Sequence, residues 1–107
     1  MADDVTYPTV RTTVLDTTDA RALAEFYRKL LGLSYRDGDE PPPPGEPDPA
    51  GGDWLVLRGR DGHALAFQQV ESLPASTWPD PAVPQQLHLD MTVPSTAELD
   101  VQHERAT

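Results

Sequence analysis

The order of the predicted elements is the feature that most limits the fold of this chain, because it begins to repeat. Apolar and β-branched residues predict a strand, a helix and three more strands over residues 8–70. After a proline-rich linker at 71–85, residues 86–107 predict a strand and a helix in the same order. An internal repeat constrains an architecture more than the propensity of one segment does. We therefore predict a single α+β domain over 1–107, with one complete βαβββ module and a second module that stops after its first strand and helix.

The first helix is predicted over 20–31, where the apolar residues follow helical spacing. They recur at i, i+3, i+4, i+7 and i+8, which places them on a single stripe: Leu23, Phe26, Tyr27, Leu30 and Leu31. Residues 17–19 provide N-cap candidates, and Gly32 stands where a left-handed C-terminal cap is expected. A strand over 8–16 is predicted to precede this helix.

Three further strands are predicted to complete the first module, at 33–36, 54–58 and 64–70. The last two flank the pair Asp61-Gly62, which is a hairpin turn signal. The proline- and glycine-rich segment 37–53 can support neither a helix nor a regular ladder, and we interpret it as a solvated, partly extended loop. A ligand for a proline-recognition domain is the alternative, and the absence of a basic flank disfavours it.

The second segment opens with a strand predicted over 86–93 and closed by Pro94. Alternation divides it into two faces: Leu87, Leu89, Met91 and Val93 on one, and His88, Asp90 and Thr92 on the other. Ser95 and Glu98 have capping-box spacing and predict a helix that runs to about Arg105.

Charge and composition exclude several classes of partner and site. The chain has 18 acidic and 8 basic residues and a formal charge of −10, which repels phosphate backbones and anionic lipid, so we expect neither a nucleic-acid nor a membrane partner. The absence of cysteine excludes disulfides, thiolate metal sites and a cysteine nucleophile. The acidic N-terminus does not look like a secretory signal, and no apolar stretch approaches the roughly 20 residues of a membrane span. We therefore expect a cytoplasmic protein.

Short segments spread over residues 8–105 carry a resemblance to a known superfamily. The opening of the glyoxalase, bleomycin-resistance and extradiol-dioxygenase proteins (the vicinal oxygen chelate superfamily) resembles residues 16–19, 24–27 and 30–33. In those proteins an aspartate precedes a helix that carries a Phe-Tyr pair and ends in Leu-Gly. The crossover between modules in the glyoxalase-like branch resembles residues 65–70, Trp78 and residues 86–90.

The resemblance implies a fold and two kinds of function. Two βαβββ modules curl their strands into a cup, with the helices outside. Some members hold a divalent metal in the cup, where vicinal oxygens of a substrate bind and a developing enediolate is stabilised; these are lyases, isomerases and dioxygenases. Other members have no metal and bind a planar drug instead.

The same resemblance implies site residues in this chain. His88 falls at the metal-ligand position of the second module's first strand, and imidazole suits Zn, Ni, Mn or Fe. Thr12 holds the equivalent position in the first module, where a hydroxyl is a poor metal ligand. Gln68 or Gln69 replaces the usual glutamate, and alternation favours Gln68 because it faces away from Phe67. A fourth ligand is expected from a strand beyond Thr107.

Two functions remain open from the sequence. The first is a metal-dependent enzyme of the vicinal oxygen chelate type, with His88 and Gln68 as ligands. The second is a metal-free protein that binds a small molecule, with Thr12, Asp90 and Trp54 lining the cup and Trp54 stacking on a planar ligand. Ordinary structural roles are the simpler interpretation of these side chains. We also expect a homodimer, because the strand over 86–93 has an unpaired edge.

Overall fold

Residues 6–85 and 87–107 are described by a computed structural model of the chain. By their contacts they fall into two compact units that divide after Val70. The first unit contains one helix and a four-stranded sheet in the order strand, helix, strand, strand, strand, and the second contains one helix. The α+β fold class and the βαβββ module predicted from the sequence are therefore confirmed.

The helix α1 (Ala20–Leu31) has the predicted bounds and is capped at both ends. The Asp19 side chain accepts a hydrogen bond of 3.1 Å from the backbone N–H of Ala22. Gly32 adopts the left-handed conformation at φ 67° and donates its N–H to the carbonyl oxygen of Arg28. A residue with a Cβ atom rarely adopts this backbone conformation, which explains why a glycine occupies the position.

The sheet contains β1 (Thr13–Thr17), β2 (Ser34–Tyr35), β3 (Trp54–Arg58) and β4 (Ala64–Gln69) in the spatial order β1-β4-β3-β2. The strand β4 pairs parallel with β1 and antiparallel with β3, which in turn pairs antiparallel with β2. The strand predicted over 8–16 begins only at Thr13, the first residue that pairs with β4, and residues 8–12 pair with no described strand.

Alternation along the strands divides the sheet into two faces. The first packs on α1 and holds the largest fully buried side chains of the described chain: Phe67, Leu55 and Leu57. The ring of Tyr27 stacks on that of Phe67, with 5.9 Å between centroids. We call the other face the distal face; its residues are Val14, Asp16, Trp54, Val56, Arg58, Ala64, Ala66 and Gln68.

The segment 37–53 contains no helix or strand, as predicted, but it is less solvated than expected. Asp39 is only 5% exposed, and its Oδ2 accepts a hydrogen bond of 2.9 Å from the backbone N–H of Val56 in β3. The guanidinium of Arg21 in α1 binds both carboxylate oxygens of Asp48 at 2.8 Å. Polar side chains therefore hold this loop against the helix and the sheet. Its proline-rich composition alone predicts only a solvated, partly extended segment.

The second unit confirms the predicted helix and contradicts the predicted strand. Helix α2 (Thr96–Ala106) is capped at its N-terminus by Ser95, whose Oγ accepts a hydrogen bond of 3.1 Å from the N–H of Glu98. Residues 87–93 form no strand, and Gln86 lies outside the described residues. A strand needs a neighbour to complete its ladder hydrogen bonds, and the described part of 71–107 contains no other strand. Neither helix of the described ranges is long and apolar enough to cross a membrane.

Candidate ligand-binding site

Gln68 lies near the C-terminal end of β4 on the distal face and has one neighbour on each adjacent strand. The register places Asp16 of β1 beside Gln68 on one side and Trp54 of β3 beside it on the other. Directly opposed residues in a sheet have Cβ atoms roughly 5 Å apart, so these side chains can contact one ligand together. Two residues predicted for the site, Gln68 and Trp54, are therefore brought together by the fold.

Gln69, the alternative candidate to Gln68 as a ligand residue, faces the α1 side of the sheet and forms structural hydrogen bonds there. Its Oε1 accepts a hydrogen bond of 2.8 Å from the backbone N–H of Ala20, and its Nε2 donates to the carbonyl oxygen of Thr18 at 2.6 Å. These bonds tie the start of α1 to the end of β4. Gln68, in contrast, is exposed on the distal face, as alternation predicts.

A cavity of about 430 Å³ adjoins this part of the distal face. It contains Thr12, the third predicted site residue of the first unit, together with Trp54. The full lining is Val10, Arg11, Thr12, Arg36, Trp54, Val56 and Arg58. Small-molecule sites in proteins typically measure about 300–1,000 Å³, so the cavity has a suitable size.

Three arginines line this cavity, and none of them was predicted as a site residue from the sequence. One of the three has a partner, since Arg36 forms an ion pair of 3.1 Å with Asp39. Arg58 could have been found, because in a strand over 54–58 it shares a face with Trp54 and Val56. Arg11 and Arg36 reach the cavity from outside the strands, and strand periodicity carries no signal for them.

A second cavity, of about 590 Å³, lies between the C-terminal end of α1 and the hairpin that joins β3 to β4. None of the five predicted site residues lines it. One of its polar side chains stabilises the turn: the Oδ1 of Asp61 accepts a hydrogen bond of 2.9 Å from the backbone N–H of His63. We therefore place the candidate site at the smaller cavity, which two of the predicted residues, Thr12 and Trp54, line.

Two carboxyl groups and one tyrosine hydroxyl next to α1 have shifted pKa values, and each shift has a structural cause. Hydrogen bonds from Arg28 hold the pKa of Glu25 at about 2, and burial raises the pKa of Tyr35. The hydroxyl of Tyr35 donates to Glu25 at 2.8 Å, which joins β2 to α1. The guanidinium of Arg21 likewise holds the pKa of Asp48 below its usual value. These pairs stabilise the packing of the helix and the loop against the sheet.

His88 and Asp90, the remaining predicted site residues, belong to the second unit. The Nε2 of His88 lies 3.6 Å from the Oδ1 of Asp90, which gives an ion pair when the imidazole is protonated. At this distance Asp90 is a carboxylate neighbour of His88. That His88 and Gln68 bind one metal ion together stays a prediction.

The donors of the first unit do not fit a transition metal. Near Gln68 they are one neutral amide and the single carboxylate of Asp16, and the hydroxyl of Thr12 belongs to a residue four positions before Asp16. Within the part of the chain that the structure describes, no group of three or more His, Cys, Asp or Glu side chains could hold a metal ion. Transition metals in proteins generally take imidazole, thiolate or several carboxylates.

The four-stranded sheet with α1 on one face and a ligand-sized cavity at the other has the architecture of a βαβββ module. A sequence profile of the glyoxalase-like domain matches residues 12–107, so the chain belongs to the glyoxalase-like domain family. The structure of a possible glyoxalase from Bacillus cereus has a similar fold, with a TM-score of 0.62 and 21% sequence identity over 91% of this chain and 70% of that one. Among curated proteins no relative matches. The resemblance to the glyoxalase superfamily is thus confirmed.

Proposed function

We propose that this protein binds a small organic molecule on the distal face of its sheet, in the cavity beside Trp54. The observation that carries this proposal is the register that places Gln68 between Asp16 and Trp54, next to a cavity of about 430 Å³. The family assignment supports it, because it makes the sheet face opposite the helix the expected position of a ligand.

The residues of the site have complementary roles in this proposal. Trp54 presents a large flat apolar surface, on which a planar ligand can stack. The Gln68 amide can donate and accept hydrogen bonds, and the Asp16 carboxylate accepts them. Thr12 closes the cavity at the segment before β1 with a hydroxyl. Such a site orients a ligand without a metal.

A metal-dependent lyase, isomerase or dioxygenase is the second candidate. The observation that favours it is the position of Asp90 beside His88, because metal-binding histidines commonly have a carboxylate neighbour. In this candidate Gln68 and His88 bind Zn, Ni, Mn or Fe, and the ion supplies Lewis acidity. The mismatch between a metal and the donors around Gln68 places this candidate second.

Tryptophan fluorescence tests the binding proposal, because the chain has only two tryptophans. The Trp78→Phe variant leaves Trp54 as the single indole, and 2-naphthamide serves as a neutral planar probe. We expect saturable quenching of Trp54 that weakens at least fivefold in Gln68→Ala. If the quenching does not saturate, the proposed site is wrong. The site is equally wrong if the parent protein, Gln68→Ala and Gln68→Leu all bind the probe with the same affinity.

Elemental analysis separates the two candidates. Protein purified without an affinity tag, from cells supplied with Zn, Ni, Mn and Fe, is measured for transition metal per chain. We expect less than a tenth of an equivalent, a threshold on the order of a nonspecific background. One equivalent of metal that is lost in His88→Ala would favour the metal-dependent enzyme over the metal-free binding protein.

We further propose that two copies assemble into a homodimer that covers the second unit. Among the described residues of 71–107 none is buried, although several are large and apolar. A folded segment without a buried side chain gains little hydrophobic stabilisation by itself.

A further inference from the structure

The cavity beside Trp54 has a charge opposite to that of the protein as a whole. The chain carries a formal charge of −10, with 18 acidic residues against 8 basic ones. The cavity nevertheless contains three of those eight basic residues, Arg11, Arg36 and Arg58, and no acidic residue lines it. Since the acidic surface repels anions in general, a concentration of guanidinium groups at one cavity favours an anion there over the rest of the surface.

Two of these arginines are available to a ligand. Among the described residues, Arg11 and Arg58 have no ion pair or hydrogen bond to their guanidinium groups. Both side chains belong to exposed residues, whereas Arg21 and Arg28 are engaged by Asp48 and Glu25.

Arg36 has a positioning partner. Its Nη2 lies 3.1 Å from the Oδ2 of Asp39, and that buried carboxylate also accepts a hydrogen bond from the N–H of Val56. The loop therefore fixes Arg36 at the wall of the cavity, while Asp39 offsets part of its charge.

The placement of the aromatic and the cationic residues defines the shape of the ligand. Trp54 and Arg58 lie at opposite ends of β3 on the same face, four residues apart, which is about 13 Å along a strand. Val56 lies between them and gives the cavity an apolar floor. A matching ligand has a planar apolar body for Trp54 and Val56 and an anionic group for the guanidinium groups. Arginine suits a carboxylate because its N–H groups can bind both oxygens at once.

From this arrangement we infer that the site selects an organic anion: a planar or elongated apolar molecule whose carboxylate binds to Arg11 and Arg58. This inference rests on the proposed binding function and deepens it, because it names the class of ligand. The guanidinium groups determine specificity through the charge of the ligand, and Trp54 binds the neutral part of the ligand.

A matched pair of probes tests the inference by isothermal titration calorimetry. 2-Naphthoate and 2-naphthamide share the same rings and differ in the charge of one group. We expect the carboxylate to bind at least about tenfold more tightly, as loss of a charged hydrogen bond usually costs that much or more. We also expect its Kd to rise between 20 and 200 mM salt, on the order of a fewfold, because salt screens exposed charges.

Charge-neutral variants locate the effect. Arg11→Gln and Arg58→Gln should each remove most of the preference for 2-naphthoate over 2-naphthamide. Arg60→Gln is the matched control, because it removes the same charge from the hairpin and Arg60 does not line this cavity. Circular dichroism and thermal unfolding of each variant establish that it is folded, and exposed positions should tolerate glutamine.

The outcomes separate the inference from the proposed function. If both probes bind equally well and the variants change neither, the anion selectivity is wrong and the binding function stands. If neither probe binds, both are overturned. If Arg60→Gln reduces 2-naphthoate binding as much as Arg58→Gln does, the preference reflects overall charge and the assignment to this cavity is overturned.

Discussion

Arg21 of α1 binds Asp48 of the long loop through two hydrogen bonds of 2.8 Å, across 27 residues of sequence. A third donor of the same guanidinium, Nη1, donates to the carbonyl oxygen of Asp39 at 2.7 Å. The guanidinium carbon also lies 5.1 Å from the centroid of the Tyr35 ring. One side chain therefore joins the helix, the loop and β2.

We predict that Arg21→Ala lowers the free energy of unfolding by about 2–4 kcal/mol, because it leaves Asp48 without its partner in a partly buried position. Arg21→Lys should recover only part of this loss, since an ammonium group cannot form the paired geometry. Urea unfolding measures both. Arg60→Ala is the control, because it is exposed; an equal loss there would contradict a specific role for Arg21.

Acid should destabilise the protein through Glu25. Its pKa is lowered from 4.5 to about 2, first by the hydrogen bonds from Arg28. A carboxyl group with a lowered pKa in the folded state contributes stability that is fully present above the unfolded pKa, here near 4.5, and is lost as the pH falls towards about 2. The lowered pKa of Asp48 acts in the same direction.

We therefore predict that the free energy of unfolding falls between pH 5 and pH 2 in the parent protein and falls less in Glu25→Gln. Glutamine keeps an oxygen that can accept the Tyr35 hydrogen bond and removes the charge. Glu71→Gln, at an exposed position, is the control and should retain the parent dependence. Identical pH profiles for Glu25→Gln and the parent would show that this ion pair does not govern acid stability.

Gln68 and Gln69 are adjacent in the sequence and should respond oppositely to the same change. Gln69→Ala removes the bonds to Ala20 and Thr18, and we expect it to cost about 1–3 kcal/mol of stability. Gln68→Ala should cost less than about 0.5 kcal/mol, because the side chain is exposed, but it should weaken binding of 2-naphthamide. Thermal unfolding and calorimetry on the two variants check the assignment of the two faces. The reverse pattern would show that Gln69, and not Gln68, contacts the ligand, which contradicts a site on the distal face.

The local parts of this fold follow from the sequence because their signals are local. Asp19 and Gly32 delimit α1 through hydrogen bonds within a few residues. Alternation in 64–70 is enough to separate the exposed Gln68 from the buried Phe67. In each case the residue's environment is set by its own element, so periodicity and capping chemistry identify it.

The remaining features depend on contacts between distant segments. Nothing near Asp39 in the sequence indicates that its carboxylate accepts a hydrogen bond from Val56, 17 residues away. The arginines of the cavity come from three separate segments, and their convergence is a property of the fold. The strand predicted over 86–93 has good alternation, but alternation specifies a strand only where a neighbour completes the ladder.

A second copy of the chain can complete that ladder. The described residues of 87–101 expose several large apolar side chains, between 36% and 56%: Leu87, Met91, Val93, Leu99 and Val101. In the sheet, β1 is an edge strand, with β4 as its one neighbour among the described strands. An edge strand of this kind is a template for pairing with another chain.

We predict a homodimer in which residues 87–93 of one copy add to the β1 edge of the other, and two-fold symmetry makes the contact reciprocal. Size exclusion with light scattering should give twice the 11.7 kDa chain mass at micromolar concentration. The amides of β1 should exchange with deuterium faster as the protein is diluted, because dissociation frees them. The double variant Leu87→Asp/Met91→Asp should be monomeric, whereas Glu104→Lys, an exposed change on α2, should remain dimeric. A monomer of constant mass across the dilution series, with β1 exchange independent of concentration, would contradict the dimer and leave the β1 edge without a partner copy.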